Sequence, residues 1–252
     1  EFALFALQLF KDLVLRNKKH LDLVLNDAYK LKTYYMGMVD ENNKVNFYDG
    51  KVSVMDPEGK RIGKYAPNEY TDWIAEHVEP WTYLKFPYLK KIGWKGFVDG
   101  KDSGVYMATP LSRLNAADGM ATPLAEKEYE IMFDALGGKP AHQTLATHWA
   151  RLICALQAAE HNLLIANSPI LTSKDIRNMN LKLRKKGVGC VEAPRGTLFH
   201  HYEVDDDGLI VRANLLIATA QNNLAINRAV EQIALEAQVA RHRAIVEWAR
   251  NR

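Results

Sequence analysis

Arg195 is the residue in this chain best placed to do chemistry. It stands behind Pro194 and before Gly196, inside the run G-V-G-C-V-E-A-P-R-G-T-L-F-H-H-Y at 187–202. A guanidinium keeps its charge at any working pH. Held between two half-buried strands, such a charge would sit next to something reactive. The plainer alternative is an ordinary hairpin with a surface arginine at its base. Residues 188–191 and 209–217 read as the strands of a hairpin-like unit, with Asp207-Gly208 as the turn signal between them.

The other reactive residue types are poorly spaced for metal or nucleophilic chemistry. The two cysteines, Cys154 and Cys190, lie 36 positions apart, and neither belongs to a C-x-x-C pair. Cys154 falls in a helical pattern and Cys190 in a strand pattern, both apolar, and both read as buried, inert thiols. His142 and His148 are separated by roughly 600° of helical rotation, so they leave different faces. His200 and His201 are neighbours on a strand and point to opposite sides. Asp205-Asp206-Asp207-Gly208 looks like the start of a calcium loop, but Leu216 stands where the bidentate glutamate belongs, so it reads as a turn. No H-E-x-x-H, Walker A or G-x-G-x-x-G motif occurs, which speaks against a zinc hydrolase or a nucleotide enzyme.

These residues need a scaffold, and 252 residues suffice for one sizeable core or two small ones. A net charge of +3 is too small and too evenly spread for a nucleic-acid surface. The densest basic run, 182–186, reads as a solvated helix end. No apolar run is long enough for a membrane span, and two unpaired cysteines fit a reducing, cytoplasmic compartment. The opening segment has the apolar density of a signal peptide but lacks its basic start and cleavage site. The missing initiator Met suggests a chain cut at both ends, or an engineered domain.

Spacing of apolar residues predicts one or two amphipathic helices over 1–34. Their inward positions are Phe2, Phe5, Leu9 and Leu13, then Leu21, Val24, Leu25 and Tyr29. Gly37 and the Asn42-Asn43 pair end that region. A small β-meander follows at 45–63, then a helix from Pro67 to about His77. The aromatic-rich stretch 79–99 reads as a loop whose rings pin two helical layers together. Helices are expected at 122–136, 141–166 and 172–186, and again from Gln221 onward. In that last helix Ile226, Val230, Ile233, Ala237, Ala240, Ala244 and Trp248 form a stripe. The fold class is α+β and predominantly helical: a long-helix core, an early meander and an antiparallel unit near 188–217.

The run E-A-P-R-G-T-L-F-H-H-Y, followed by D-G-L-I-V-R-A-N-L-L-I-A-T-A-Q-N-N-L-A-I-N, resembles the catalytic large subunit of the [NiFe] hydrogenases. The resemblance is to the soluble, multimeric branch that is coupled to nicotinamide or to heterodisulfide reductase. Y-M-G-M-V-D, N-F-Y-D-G, V-E-P-W-T-Y-L-K-F-P-Y-L-K, T-P-L-S-R-L-N and H-Q-T-L-A-T-H-W-A-R-L-I occur in the family's order, covering about residues 20 to 235. The resemblance implies a single domain over 1–252, matching the middle and late part of the large subunit, with a C-terminal helix at 236–252 that has no counterpart.

It also implies site residues. Pro194 and Arg195 would flank the open side of the metal pair, with Arg195 stabilising charge as hydrogen splits. Ala218 and Thr219 would hold the iron's cyanide ligands, and the Leu215 backbone carbonyl would reach a magnesium ion. A complete member would carry a Ni-Fe(CN)2(CO) centre and magnesium. Its partners would be an iron–sulfur small subunit, which takes its electrons, and further electron-transfer subunits, with no nucleic acid and no membrane span. Both terminal Cys-x-x-Cys pairs are absent here, so this chain alone would hold none of these metals and be inactive. The glutamate that relays the proton in the family lies outside the match, so Glu192 is not assigned that role. Cys154 stands where an acidic residue is usual. The alternative reading is a non-catalytic or engineered scaffold that keeps the hydrogenase shape. The ubiquinone-site subunit of respiratory complex I is a more distant resemblance.

Overall fold

In the computed structural model, which describes residues 1–250 except Asn178, Asn180, Leu181 and Leu183, the first apolar segment folds as two helices. α1 (Phe2–Phe10) and α2 (Lys18–Leu25) are joined through a π-type turn, Lys11–Leu15. The expected inward positions Phe2, Phe5, Leu9 and Leu13 face solvent, Phe2 at 81% exposure. Leu7 is buried instead, with Ala3, Phe10 and Val14 packed beside it. The run is apolar on both faces, so 3, 7, 10 and 14 satisfy helical spacing as well as the expected set.

The meander at 45–63 is present, and an earlier strand joins it. β1 (Tyr34–Val39) pairs antiparallel with β2 (Lys51–Met55), and β2 with β3 (Arg61–Tyr65). Gly37, expected to end a helical region, lies mid-strand in β1, where an added Cβ would come 2.6 Å from the Arg113 Cα. The helix expected from Pro67 stops after α3 (Tyr70–Trp73), and Ile74 opens β4 (Ile74–Val78), which pairs with β5 (Lys85–Leu89). The aromatic stretch therefore forms a hairpin. Its rings Phe86, Tyr88, Trp94 and Phe97 pack with Leu224, Ala225 and Ala229 rather than between two helical layers. β6 (Tyr106–Met107) lies parallel to β1 and completes a sheet of order β3-β2-β1-β6.

One helix covers this sheet, and two more pack behind it. α4 (Pro110–Ala116) was not anticipated; Thr109 caps it, accepting the Ser112 N–H at 3.1 Å. α5 (Pro123–Ala135) starts as expected with a proline at its first turn. Its cap comes from elsewhere, for Glu160 of α6 (Thr147–Ala166) accepts the Leu124 and Ala125 N–H groups. Trp149, Ile153 and Leu156 of α6 are central to the helical core. Described residues 173–177 hold no helix, and Asn178, Asn180, Leu181 and Leu183 of the helix expected at 172–186 lie outside the described residues.

The unit near 188–217 has three strands, not two. β7 (Lys186–Ala193), β8 (Gly196–Val204) and β9 (Ile210–Leu216) run antiparallel in that order, because T-L-F-H-H-Y-E-V itself alternates as a strand. Asp205 and Gly208 (φ +82°) make the β8–β9 turn, with the Asp205 carboxylate accepting the Asp207 and Leu209 N–H groups. α7 (Ala218–Arg250) follows without a break through 236–250. Its expected stripe is largely exposed at Ile226, Val230 and Ile233, while Gln221, Asn222, Leu224 and Ala225 are buried. The molecule is an α+β protein.

Candidate functional site

The only charge between Lys101-Asp102 and Asp118 in the sequence is Arg113, and α4 carries it into the core. Its side chain is 3% exposed and that of Glu192, on β7, is 0% exposed. Arg113 Nε donates to Glu192 Oε2 at 2.8 Å, and its Nη2 donates to the Ala193 carbonyl at 2.7 Å. The other carboxylate oxygen, Oε1, accepts the Met38 N–H at 2.6 Å and the Thr197 hydroxyl at 3.0 Å. Burial works against the guanidinium's charge, but Glu192 and then Cys154 outweigh it and raise its pKa. Burial likewise pushes the Cys154 and Cys190 thiols up, so both stay protonated. A buried ion pair with every carboxylate oxygen occupied fixes where the β7–β8 turn sits.

That turn contains only Pro194 and Arg195, between the paired Ala193 and Gly196. Gly196 has φ +132°, and an added Cβ would come 1.4 Å from the Ala108 carbonyl oxygen. Only glycine permits this close approach. Arg195 is exposed, and it forms no ion pair among the described residues. It is thus in the hairpin turn rather than between half-buried strands, as its neighbours had suggested.

The first turn of α7 meets this hairpin. Gln221 binds three partners: its amide donates to the Thr197 and Leu216 carbonyls, and its oxygen accepts the Tyr106 hydroxyl. The Asn222 oxygen accepts the Ala108 N–H at 2.7 Å. Between hairpin and helix lies a cavity of about 230 Å³, lined by Ala193, Pro194, Arg195, Leu198, Ile217, Ala218 and Thr219. Four of the five expected site residues, Pro194, Arg195, Ala218 and Thr219, therefore share one cavity. Leu215 does not line it and is 45% exposed on β9. The lining holds no acidic residue, and the positive end of the α7 dipole adds to the Arg195 charge. The cavity favours an anion.

Sequence reading missed the groups that hold this site: Arg113, Glu192, Gln221 and Asn222. Arg113 had a signal, as a lone charge in an uncharged stretch with no polar face. The histidines behave as expected: His201 is buried against the Tyr70 hydroxyl, while His200 bonds Tyr202 on the other face. No group of three or more His, Cys, Asp or Glu side chains suited to a metal occurs among the described residues. No helix among them is long and apolar enough to cross a membrane.

Comparison with known proteins points to subunits of hydrogenases. The chain is 44% identical over 234 residues to the iron-sulfur subunit of the F420-non-reducing hydrogenase of Archaeoglobus profundus, covering 93% of this chain and 48% of that protein. It is 38% identical over 234 residues to a vhu subunit of the F420-non-reducing hydrogenase of Methanocaldococcus jannaschii, covering 93% and 53%. With the beta subunit of the NAD-reducing hydrogenase HoxS of Cupriavidus necator it shares 34% over 241 residues, covering 93% and 46%. Among solved structures, an NAD+-reducing [NiFe]-hydrogenase in the H2-reduced state superposes with a TM-score of 0.79 at 34% identity, covering 90% of this chain and 48% of that chain. A [NiFeSe]-hydrogenase of Dm. baculatum, at 15% identity and a TM-score of 0.51, shares the fold. No protein-family model matches. The chain spans about half the length of the curated relatives it matches.

These names correct three expectations. The first relative is described as an iron–sulfur subunit, which overturns the assignment to a catalytic large subunit that splits hydrogen. The scaffold alternative is not supported either, because each relative named above is a hydrogenase subunit. The expected Ni-Fe(CN)2(CO) centre and magnesium, with nothing held by this chain, give way to an iron–sulfur group in that relative's name. The residues present do not fit such a group. A cluster takes about four thiolates, whereas Cys154 and Cys190 are two, buried in different core clusters.

Proposed function

We propose that this chain is part of a hydrogenase subunit in a cytoplasmic, multisubunit complex for hydrogen-linked electron transfer. Its share of that work is to wall an anionic redox site with fixed positive charge. An iron–sulfur group of the kind named for the Archaeoglobus relative would draw its ligands from outside this stretch. The observation that carries the reading is the cavity of about 230 Å³ on which Arg195 and the first turn of α7 converge with no acidic residue. Pro194 stiffens the turn by locking its own φ. The Gly196–Ala108 contact and the Arg113–Glu192 pair hold the turn's two ends, so Arg195 projects from a fixed base. Thr219 adds a hydroxyl that can donate to an anion. Preorganised charge of this kind works without reorganising as the reaction proceeds.

The test is Arg195→Gln and Arg195→Lys in the assembled hydrogenase, read by hydrogen-dependent benzyl viologen reduction and by size-exclusion of the complex. Arg195→Gln is expected to lose at least ~10-fold in turnover with assembly intact, about 1.4 kcal/mol in the barrier, and lysine should restore part of it. Wild-type turnover in the glutamine variant would overturn the proposal.

A further inference from the structure

A second cavity, of about 350 Å³, borders the first at Ala193 and Pro194. Its floor is one face of α6, where Arg151, Cys154, Ala155 and Ala158 recur at helical spacing, and the two alanines leave the space open. Phe47 and Tyr48 form a side wall, their rings perpendicular with centroids 6.3 Å apart. Arg113 enters from α4, its guanidinium 5.4 Å from the Phe47 ring centre.

The charges in this lining do not balance. Arg113 and Arg151 are cations, and Glu192 is the single carboxylate. Both Glu192 oxygens are already taken, Oε2 by Arg113 and Oε1 by the Met38 N–H and the Thr197 hydroxyl. Arg151 reaches only the Pro194 carbonyl, at 3.4 Å, and has no carboxylate partner among the described residues. Cys154 supplies no negative charge, since burial keeps its thiol protonated. The Arg151 guanidinium, exposed to solvent, therefore stands at the edge of an apolar, aromatic-walled cavity without a protein counterion among the described residues. A guanidinium fork matches a carboxylate, and the cavity lies within the size range of small-molecule sites.

We infer that this cavity binds a small organic carboxylate with a flat apolar body. The carboxylate pairs with Arg151, and the body lies between Phe47, Tyr48 and the Ala155–Ala158 face. Inorganic anions fit less well, because most of the lining is apolar and would gain nothing from them. The site adjoins the Arg195 cavity through Ala193 and Pro194 but has its own cation, and it does not rest on the hydrogenase reading.

Benzoate is the probe, with benzamide as its neutral counterpart and inorganic phosphate as the apolar-free anion, titrated calorimetrically into the full chain. Expected is saturable one-to-one benzoate binding, at least ~10-fold weaker for benzamide and for phosphate. Arg151→Gln removes the charge, and Ala158→Leu fills the space while keeping it. Each should weaken benzoate at least ~10-fold. Absence of saturable binding up to ~10 mM, where affinity falls below about 3 kcal/mol, overturns the proposal. So does unchanged affinity in either variant, or phosphate binding as tightly as benzoate. If one variant melts early, the other and the benzoate–benzamide ratio on the wild type decide.

Discussion

Replacing Glu192 by alanine is the sharpest probe of how this fold is held. The change leaves the Arg113 guanidinium buried without its carboxylate, and it takes the acceptor from the Met38 N–H and the Thr197 hydroxyl. Removing one partner of a buried ion pair costs about 3–5 kcal/mol. An orphaned buried N–H adds about 1–3 kcal/mol. Arg113 keeps the Ala193 carbonyl at 2.7 Å, and the neighbouring cavity lets water reach it, so the lower ends apply. The sum is about 4 kcal/mol, a large part of the 5–15 kcal/mol that holds a typical domain. In urea, with a slope of about 2–3 kcal/mol/M, the midpoint should fall by about 1.3–2 M. Circular dichroism at 222 nm reads this directly. The double change Arg113→Met with Glu192→Leu should recover more than half of the loss, since an apolar pair needs no counterion. A loss below about 1.5 kcal/mol for Glu192→Ala would refute the premise that the two buried groups depend on each other.

Three further outcomes follow from the geometry. Gly196→Ala drives a Cβ to 1.4 Å from the Ala108 oxygen at φ +132°, so a loss of at least about 3 kcal/mol is expected; a melting temperature within a few degrees of wild type would contradict it. Burial holds the Lys139 amine down to about 8, against an ordinary value of 10.5. Between those values the unfolded chain binds more protons than the folded one, so this contribution rises with pH from 8 to 10.5 and is lost below 8. Lys139→Met should flatten the stability slope between pH 8 and 10, and an unchanged slope would sink the assignment. Cys190, buried with a raised pKa, should resist Ellman's reagent in the native chain and react fully in guanidinium. Rapid native reaction at Cys190 would show the thiol to be open.

Elements with one clear apolar face were legible before the structure. α5, α6 and the early meander follow from periodicity, a first-turn proline and turn glycines. The inward stripes of α1 and α7 were not, because those runs are apolar around more than one face and only the neighbours choose among them. β4 was hidden for a related reason: Ile74–Val78 becomes a strand through pairing with β5, not through any local alternation. Arg195 was recognisable from its run, but its cavity was not. That cavity forms because β8 and β9 bring the chain back from Gly196 to Ala218, 22 positions later. The Arg113–Glu192 pair spans 79 positions, and no local pattern joins two residues at that separation.

α7 has an unequal life along its length. Its first two turns are wedged among Tyr106, Ala108, Thr197 and Leu216. Arg228 clamps it once more to Asp99 at 2.8 Å, and Gln232 reaches the Asp27 carbonyl. Beyond Gln232 the helix runs on for some 18 residues, roughly 27 Å at its usual rise, with Ile233, Leu235, Val239, Ile245 and Val246 exposed. A single helix of that length is marginal on its own. Amide exchange should therefore be faster beyond Gln232 than in the turns between Ala218 and Arg228. That residue acts as a thermal brake, keeping the fraying of the outer rod from loosening the anchored turn that faces Arg195.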